Sequence, residues 1–137
     1  MTESTGISIL HVDDDSAFAG LTSEMLSKQA PQFTVEIVMS PSEGLERLDT
    51  TDFDCIVSDY QMPHQDGIEF LDAVREDYQN LPFILYTGEG SEAVASDAIA
   101  AGVTDYLQKG SGMGHYAVLA NKIRNAVESY RQRERLQ

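Results

Sequence analysis

A short apolar run, Cys55-Ile56-Val57-Ser58, ends on a carboxylate, Asp59, and the chain then breaks at Pro63. Apolar runs bounded by turn signals form strands buried on both faces, the kind found inside parallel sheets. Proline supplies no N–H to a ladder, so the chain has left the sheet by Pro63. Asp59 therefore stands where a strand passes into a loop. In open α/β sheets that carboxyl edge is where ligands bind.

The rest of the chain alternates around this segment. Residues 7–12 read as a buried strand that stops at Asp13-Asp14-Asp15. Ser16 is the expected cap of a first helix, whose inner face carries Phe18, Leu21, Met25 and Leu26, and Pro31 closes it. Residues 33–39 alternate and contain β-branched residues, which predicts a second strand. Ser40-Pro41 places a cap and a proline at a helix start. Residues 54–58 are the third strand, and 66–78 follow as a helix with Ile68, Phe70, Leu71 and Val74 apolar. Residues 82–87 and 104–108 complete the strands. Between them runs an alanine-rich helix over 92–101, capped by Ser91 and ended by Gly102. A flexible loop, Gly110–Gly114, leads into a last helix over 115–135.

Five strands alternating with five helices predict an α/β fold: a three-layer, doubly wound parallel sheet with right-handed crossovers. The length suits one domain over residues 1–137. Its core spans about 7–127, and 128–137 extend the last helix or begin a linker.

Charge narrows the partners. The net charge is −14, with 21 acids and four bases before residue 122. So acidic a surface repels nucleic acid and anionic membrane. No apolar run approaches the length of a membrane span, and the first residues lack the pattern of a signal peptide. The single cysteine, Cys55, permits no internal disulfide. These features together point to the cytoplasm.

Four strand ends carry polar side chains: Asp13 and Asp14, Asp59, Thr87, and Lys109. In a parallel sheet these ends share one edge, so the groups converge although distant in sequence. Three carboxylates in one place raise each other's pKa values, and a hard divalent cation with oxygen ligands, Mg²⁺, relieves this. Metal and ammonium together attract a phosphoryl group, and Thr87 can hydrogen-bond one of its oxygens. Asp59 is then the candidate nucleophile, forming an aspartyl phosphate. His11 is expected to be interior and hydrogen-bonded, and His64 and His115 exposed.

These motifs resemble the receiver domain of two-component response regulators. Val12-Asp13-Asp14 is similar to its acidic pair, and Asp59 to Gly67 to its phosphoacceptor loop. Tyr86-Thr87-Gly88 resembles its switch hydroxyl, and Ala101 to Lys109 its aromatic switch and lysine. The likeness covers about Ile7 to Val127 and implies a flavodoxin-like strand order of 2-1-3-4-5. It implies that Asp59 takes a phosphoryl group from a histidine kinase or phosphotransfer protein. Mg²⁺ would be held by Asp14, Asp59 and the Gln61 carbonyl, with Asp13 binding directly or through water. Thr87 and Tyr106 would be the switch pair, and Gln61 and Glu89 would tune loss of the phosphoryl group. Such a domain is no enzyme on an outside substrate but promotes its own phosphorylation and dephosphorylation. It signals to a downstream protein or an attached output domain, as a monomer or a phosphorylation-linked dimer.

One departure is Lys109-Gly110, where the family usually has a cis Lys-Pro bond. A cis bond before glycine costs roughly 2.5–4 kcal/mol, so a trans bond and a looser loop are expected. Other readings are a Mg²⁺-dependent phosphatase, a flavodoxin-like cofactor binder, and a receiver-shaped module that is never phosphorylated. The first lacks an acid two residues after Asp59, where Gln61 stands, and the second lacks a phosphate-cradling turn after the first strand. The complete set of acids, hydroxyl and lysine argues against the third.

Only three lysines stand beside 12 Asp and 11 Glu, a composition expected of a high-salt cytoplasm. Molar KCl is then expected to raise the melting temperature markedly by screening self-repulsion. Thermal melts across a KCl series test this, and a flat series contradicts it.

Overall fold

A computed structural model describes residues 6–88, 92–110 and 112–135. Five parallel strands, β1 (Ile7–Val12), β2 (Phe33–Val38), β3 (Cys55–Ser58), β4 (Phe83–Thr87) and β5 (Asp105–Gln108), form one sheet in the order β2-β1-β3-β4-β5. The helices are α1 (Ser16–Gln29), α2 (Pro41–Thr50), α3 (Gly67–Asp77), α4 (Glu92–Ala100) and α5 (Met113–Arg135). This is the α/β architecture expected from the alternation of strands and helices.

Side chains alternate across a strand, and here both faces are covered. Ile7, Ile9, Cys55, Val57, Ile84 and Tyr86 pack on one side with Leu26 of α1 and Leu119, Ile123 and Val127 of α5. Leu10, Val12, Ile56, Phe83 and Leu85 pack on the other with Leu48 of α2, Phe70, Leu71 and Val74 of α3, and Ala98 of α4. Double coverage is why β3 is buried throughout.

Helix ends follow from local chemistry, with one correction. Asp15, not Ser16, caps α1: its Oδ1 accepts the Phe18 N–H at 3.0 Å. The Asp15 N–H is itself held by Asp13 Oδ1 at 2.9 Å, and residue 15 has the extended backbone that a cap needs. Ser40 and Pro41 open α2 as expected. Asp66 and Glu69 form a reciprocal capping box at α3, each bond 2.8 Å long. Gly102, at φ +92°, ends α4, with its N–H on the Ile99 carbonyl and that of Val103 on Ala98. Arg75 then ties this corner to the end of α3, its guanidinium donating to the Gly102, Tyr78 and Leu81 carbonyls.

Helix α5 begins at Met113, so Met113 and Gly114 belong to its first turn and not to the loop. Ser91, the expected cap of α4, and Glu89 lie outside the described residues. At its other end α5 is docked on the amino edge of the sheet. Arg131 donates to the Gly6 carbonyl at 2.8 Å and lies 3.3 Å from Asp54, and Arg133 donates to Asn80 at 3.2 Å. No helix of the described residues is long and apolar enough to cross a membrane.

Candidate functional site

The sheet brings Asp13 and Asp59 together through its own hydrogen bonds. β1 and β3 pair with Val12 opposite Ser58, so the next residue of each strand is an acid. The Asp59 N–H reaches the Val12 carbonyl at 2.9 Å, and the Asp13 N–H reaches Val38 at 3.1 Å. Both carboxylates are therefore anchored at the rim by backbone before any side chain acts. On the other side the Lys109 N–H bonds the Thr87 carbonyl at 2.8 Å, which sets the lysine at the same edge.

Lys109 joins the halves. Its Nζ lies 3.1 Å from Asp13 Oδ2 and 3.4 Å from Asp59 Oδ1. The same ammonium sits 4.3 Å from the centre of the Phe18 ring, a cation–π contact. Asp59 Oδ1 also accepts the Tyr60 N–H at 2.8 Å. Asp13 is fully buried and Asp59 is 8% exposed, whereas Asp14 faces solvent. Asp13, Asp14 and Asp59 each offer an oxygen within 4.8 Å of the others. An open cleft of about 430 Å³ is lined by Asp14, Asp59, Gln61, Thr87 and Lys109, among others.

Electrostatics bear on what the cleft can hold. Burial, and then Asp13, raise the Asp59 pKa above its ordinary value, with Lys109 and the Tyr60 N–H pulling the other way. Three carboxylates and one ammonium leave two negative charges uncompensated. Two like charges near 5 Å repel by about 3 kcal/mol at an effective dielectric of 20. Bound magnesium suits this set: the donors are all oxygen, one acid is open to water, and a divalent charge closes the balance.

The expected residues Asp13, Asp14, Asp59, Gln61, Thr87 and Lys109 thus gather at one rim. Tyr106 does not line the cleft; it is half-buried against the core on the α3 and α4 side. Two histidines differ from expectation. His11 is interior, but neither ring nitrogen has a hydrogen-bond partner among the described residues; Nε2 lies 3.9 Å from Asp13 Oδ2. Burial pushes its pKa down to about 4 against the pull of Asp13, so the ring stays neutral. His115 is half-buried and stacks on Tyr86. Burial drives the Cys55 thiol far above its usual range, which makes it unreactive.

Two contributors were not singled out in the sequence. Phe18 reads as a core residue of α1, yet it carries the lysine; its place one helical turn after Asp14 was the available signal. Gly67 entered the sequence reading only as the last residue of the phosphoacceptor-loop motif. A Cβ there would lie 2.3 Å from the Asp59 carbonyl, so only glycine allows α3 to begin this close to the end of β3.

Comparison with known proteins agrees. The response regulator receiver domain profile matches residues 9–120. The chain belongs to the response regulator receiver domain family. A CheY-like receiver domain protein from Methanospirillum hungatei JF-1 superposes with a TM-score of 0.82 at 25% identity, covering 94% of this chain and 99% of that one. The chemotaxis response regulator CheY4 of Vibrio cholerae gives 0.78 at 28% identity, covering 87% and 99%. Among curated relatives, the transcriptional regulatory protein FixJ of Bradyrhizobium diazoefficiens is 32% identical over 98 residues, 72% of this chain and 47% of FixJ. CpxR of Escherichia coli K12 is 35% identical over 101 residues, 74% of this chain and 42% of CpxR. The receiver spans less than half of either curated relative.

The raised Asp59 pKa has a sign that can be checked in metal-free protein. A carboxylate whose folded pKa is raised destabilises the fold when ionised, at neutral pH. That penalty is relieved as pH falls through the folded value and is gone below the unfolded one, near 3.9. Asp59→Asn is therefore expected to melt higher than the parent at neutral pH in chelator. The gap should close on acidification, as read by calorimetry across a pH series.

Proposed function

We propose that Asp59 is the phosphoacceptor of this receiver, and that its donor is a phosphohistidine on a histidine kinase or phosphotransfer protein. The observation that carries this reading is the Asp59 carboxylate held 3.4 Å from Lys109 in an open cleft beside Asp13 and Asp14. An Asp59 oxygen bonds to phosphorus as the P–N bond of the donor breaks, and the electron pair stays on the imidazole nitrogen. Lys109 takes up charge on the phosphoryl oxygens, and the Thr87 hydroxyl donates to one of them. Mg²⁺ would be held by Asp13, Asp14, Asp59 and the Gln61 carbonyl; when bound it neutralises the carboxylates and the incoming phosphoryl charge.

The new charge, about −1.5 to −2 by analogy with other phosphorylated side chains, biases the residues around it. Thr87 turns toward the phosphoryl oxygens and Tyr106 moves inward, which alters the surface formed by α4, β5 and α5. Asp59 is modified once per signal and regenerated by hydrolysis, so the receiver is a carrier of the signal and not an enzyme on an outside substrate. Its place is the cytoplasm, as a monomer or a phosphorylation-linked dimer. Its listener is an attached domain or a separate protein, since an acidic surface disfavours direct nucleic-acid or membrane contact.

Incubation with acetyl phosphate and Mg²⁺ is expected to add one phosphoryl group per chain. The adduct should be acid-stable, hydroxylamine-labile, mapped to Asp59 and absent in Asp59→Ala. Intact-mass spectrometry and peptide mapping read it. Modification elsewhere, or multiple turnover of small phosphoesters, contradicts the reading.

A further inference from the structure

Four contacts around Lys109 form a closed circuit through the start of α1. Asp13 Oδ1 accepts the Asp15 N–H at 2.9 Å. Asp15 Oδ1 accepts the Phe18 N–H at 3.0 Å, which fixes where the first turn of α1 carries residue 18. The Lys109 ammonium lies over the Phe18 ring, 4.3 Å from its centre. The same ammonium returns to Asp13, 3.1 Å from Oδ2. One oxygen of a single carboxylate thus holds the cap that aims the ring, and the other holds the cation that the ring carries.

The ring is supported as well as aimed. It packs on Tyr86, with centroids 5.9 Å apart and planes tilted by 34°, and Tyr86 is fully buried in the core. A lysine needs such support, because its charge is a compact point at the end of a flexible four-carbon stem. Asp13 and Asp59 attract that point without a preferred direction. The negative face of an aromatic ring attracts a cation along one line, the ring normal. An aliphatic side chain of similar size would fill the space without that pull. The Lys109 side chain is only 18% exposed, and a cation–π contact is strongest where water is kept away.

We propose that Phe18 is a positioning residue for Lys109: its ring, aimed by the Asp13–Asp15 cap, holds the ammonium between Asp13 and Asp59 before a phosphoryl donor arrives. Phe18 touches no reacting atom and acts through the lysine. A charge already in place needs little reorganisation during transfer, and a displacement near 1 Å can cost up to about a hundredfold in rate. The effect depends on the electrons of the ring and not on its bulk. Fluorine withdraws those electrons at nearly constant shape, so fluorinated phenylalanines at position 18 separate a seat for a cation from a core filler. Phe18→Leu removes the aromatic face, and Phe18→Tyr keeps it.

The rate readout rests on the phosphoacceptor reading, so a second readout stands apart from it. In the metal-free wild-type receiver, NMR is expected to show the Lys109 Hε protons shifted upfield by the ring current of Phe18. Phe18→Leu should return them to their ordinary position, and Phe18→Tyr should keep the shift. Asp15→Ala should lose part of the shift, and Asp15→Asn, which keeps a cap, should restore it. With acetyl phosphate and saturating Mg²⁺, Phe18→Leu should slow Asp59 adduct formation by about tenfold, and Phe18→Tyr should recover most of that rate. Each fluorine added to the ring should slow the reaction further. In a Lys109→Ala background Phe18→Leu should add little, because both changes remove one effect. Wild-type Lys109 protons at their ordinary position overturn the proposal whether or not Asp59 is phosphorylated. So does a rate that ignores the fluorine series, an equal loss with and without Lys109, or an Asp15→Asn variant that loses as much shift as Asp15→Ala. A wild-type protein that forms no adduct but shows the shift, lost in Phe18→Leu, defeats the phosphoacceptor reading and leaves the seat standing.

Discussion

One ammonium stands between two buried carboxylates, and the rim of the sheet depends on it. Asp13 and Asp59 are placed by backbone hydrogen bonds to neighbouring strands, so neither can swing away to escape the other. Lys109 lies within 3.4 Å of both and offsets part of their repulsion. It cannot offset all of it, because Asp14 adds a third charge within 4.8 Å. The fold thus holds a standing electrostatic deficit at a place open to water. That deficit suits the rim to a divalent cation, and metal and lysine together would turn an acidic cluster into a site for an anion.

Three further features keep the arrangement rigid. The register of β1 against β3 aligns the acids. Gly67 lets α3 start against the Asp59 carbonyl, and the Gly67 N–H closes the loop onto Tyr60 at 2.7 Å. Phe18 supports the lysine from below. Preset charges need little reorganisation when the reacting group arrives, which is how such a rim would favour phosphoryl transfer. At the opposite edge, Arg131 and Arg133 fasten α5 to Gly6, Asp54 and Asn80, so the helix bearing His115 is held at both ends.

Much of this was legible because the rules involved are local or topological. Apolar runs ending on polar residues marked the strands, and parallel topology alone put Asp13, Asp59, Thr87 and Lys109 on one edge. What escaped were contacts that depend on tertiary distance. Nothing local separates Phe18 as core filler from Phe18 as a seat for an ammonium. The cap of α1 moved from Ser16 to Asp15 because Asp13 turns back to hold the Asp15 N–H, a bond invisible in a propensity scale. His115 read as exposed because its partner, Tyr86, is 29 residues away and meets it only in the folded chain. His11 read as hydrogen-bonded because buried polar groups usually are; instead its ring is kept neutral by burial.

The most direct test of the charge deficit is the dependence of stability on Mg²⁺ at constant ionic strength. Wild-type protein should gain melting temperature along a saturable, single-site curve as Mg²⁺ is added. The Asp13→Asn/Asp14→Asn double variant, with the deficit removed, should melt higher without metal and gain nothing from it. A wild-type protein indifferent to Mg²⁺, or a double variant that responds just as strongly, would contradict the account.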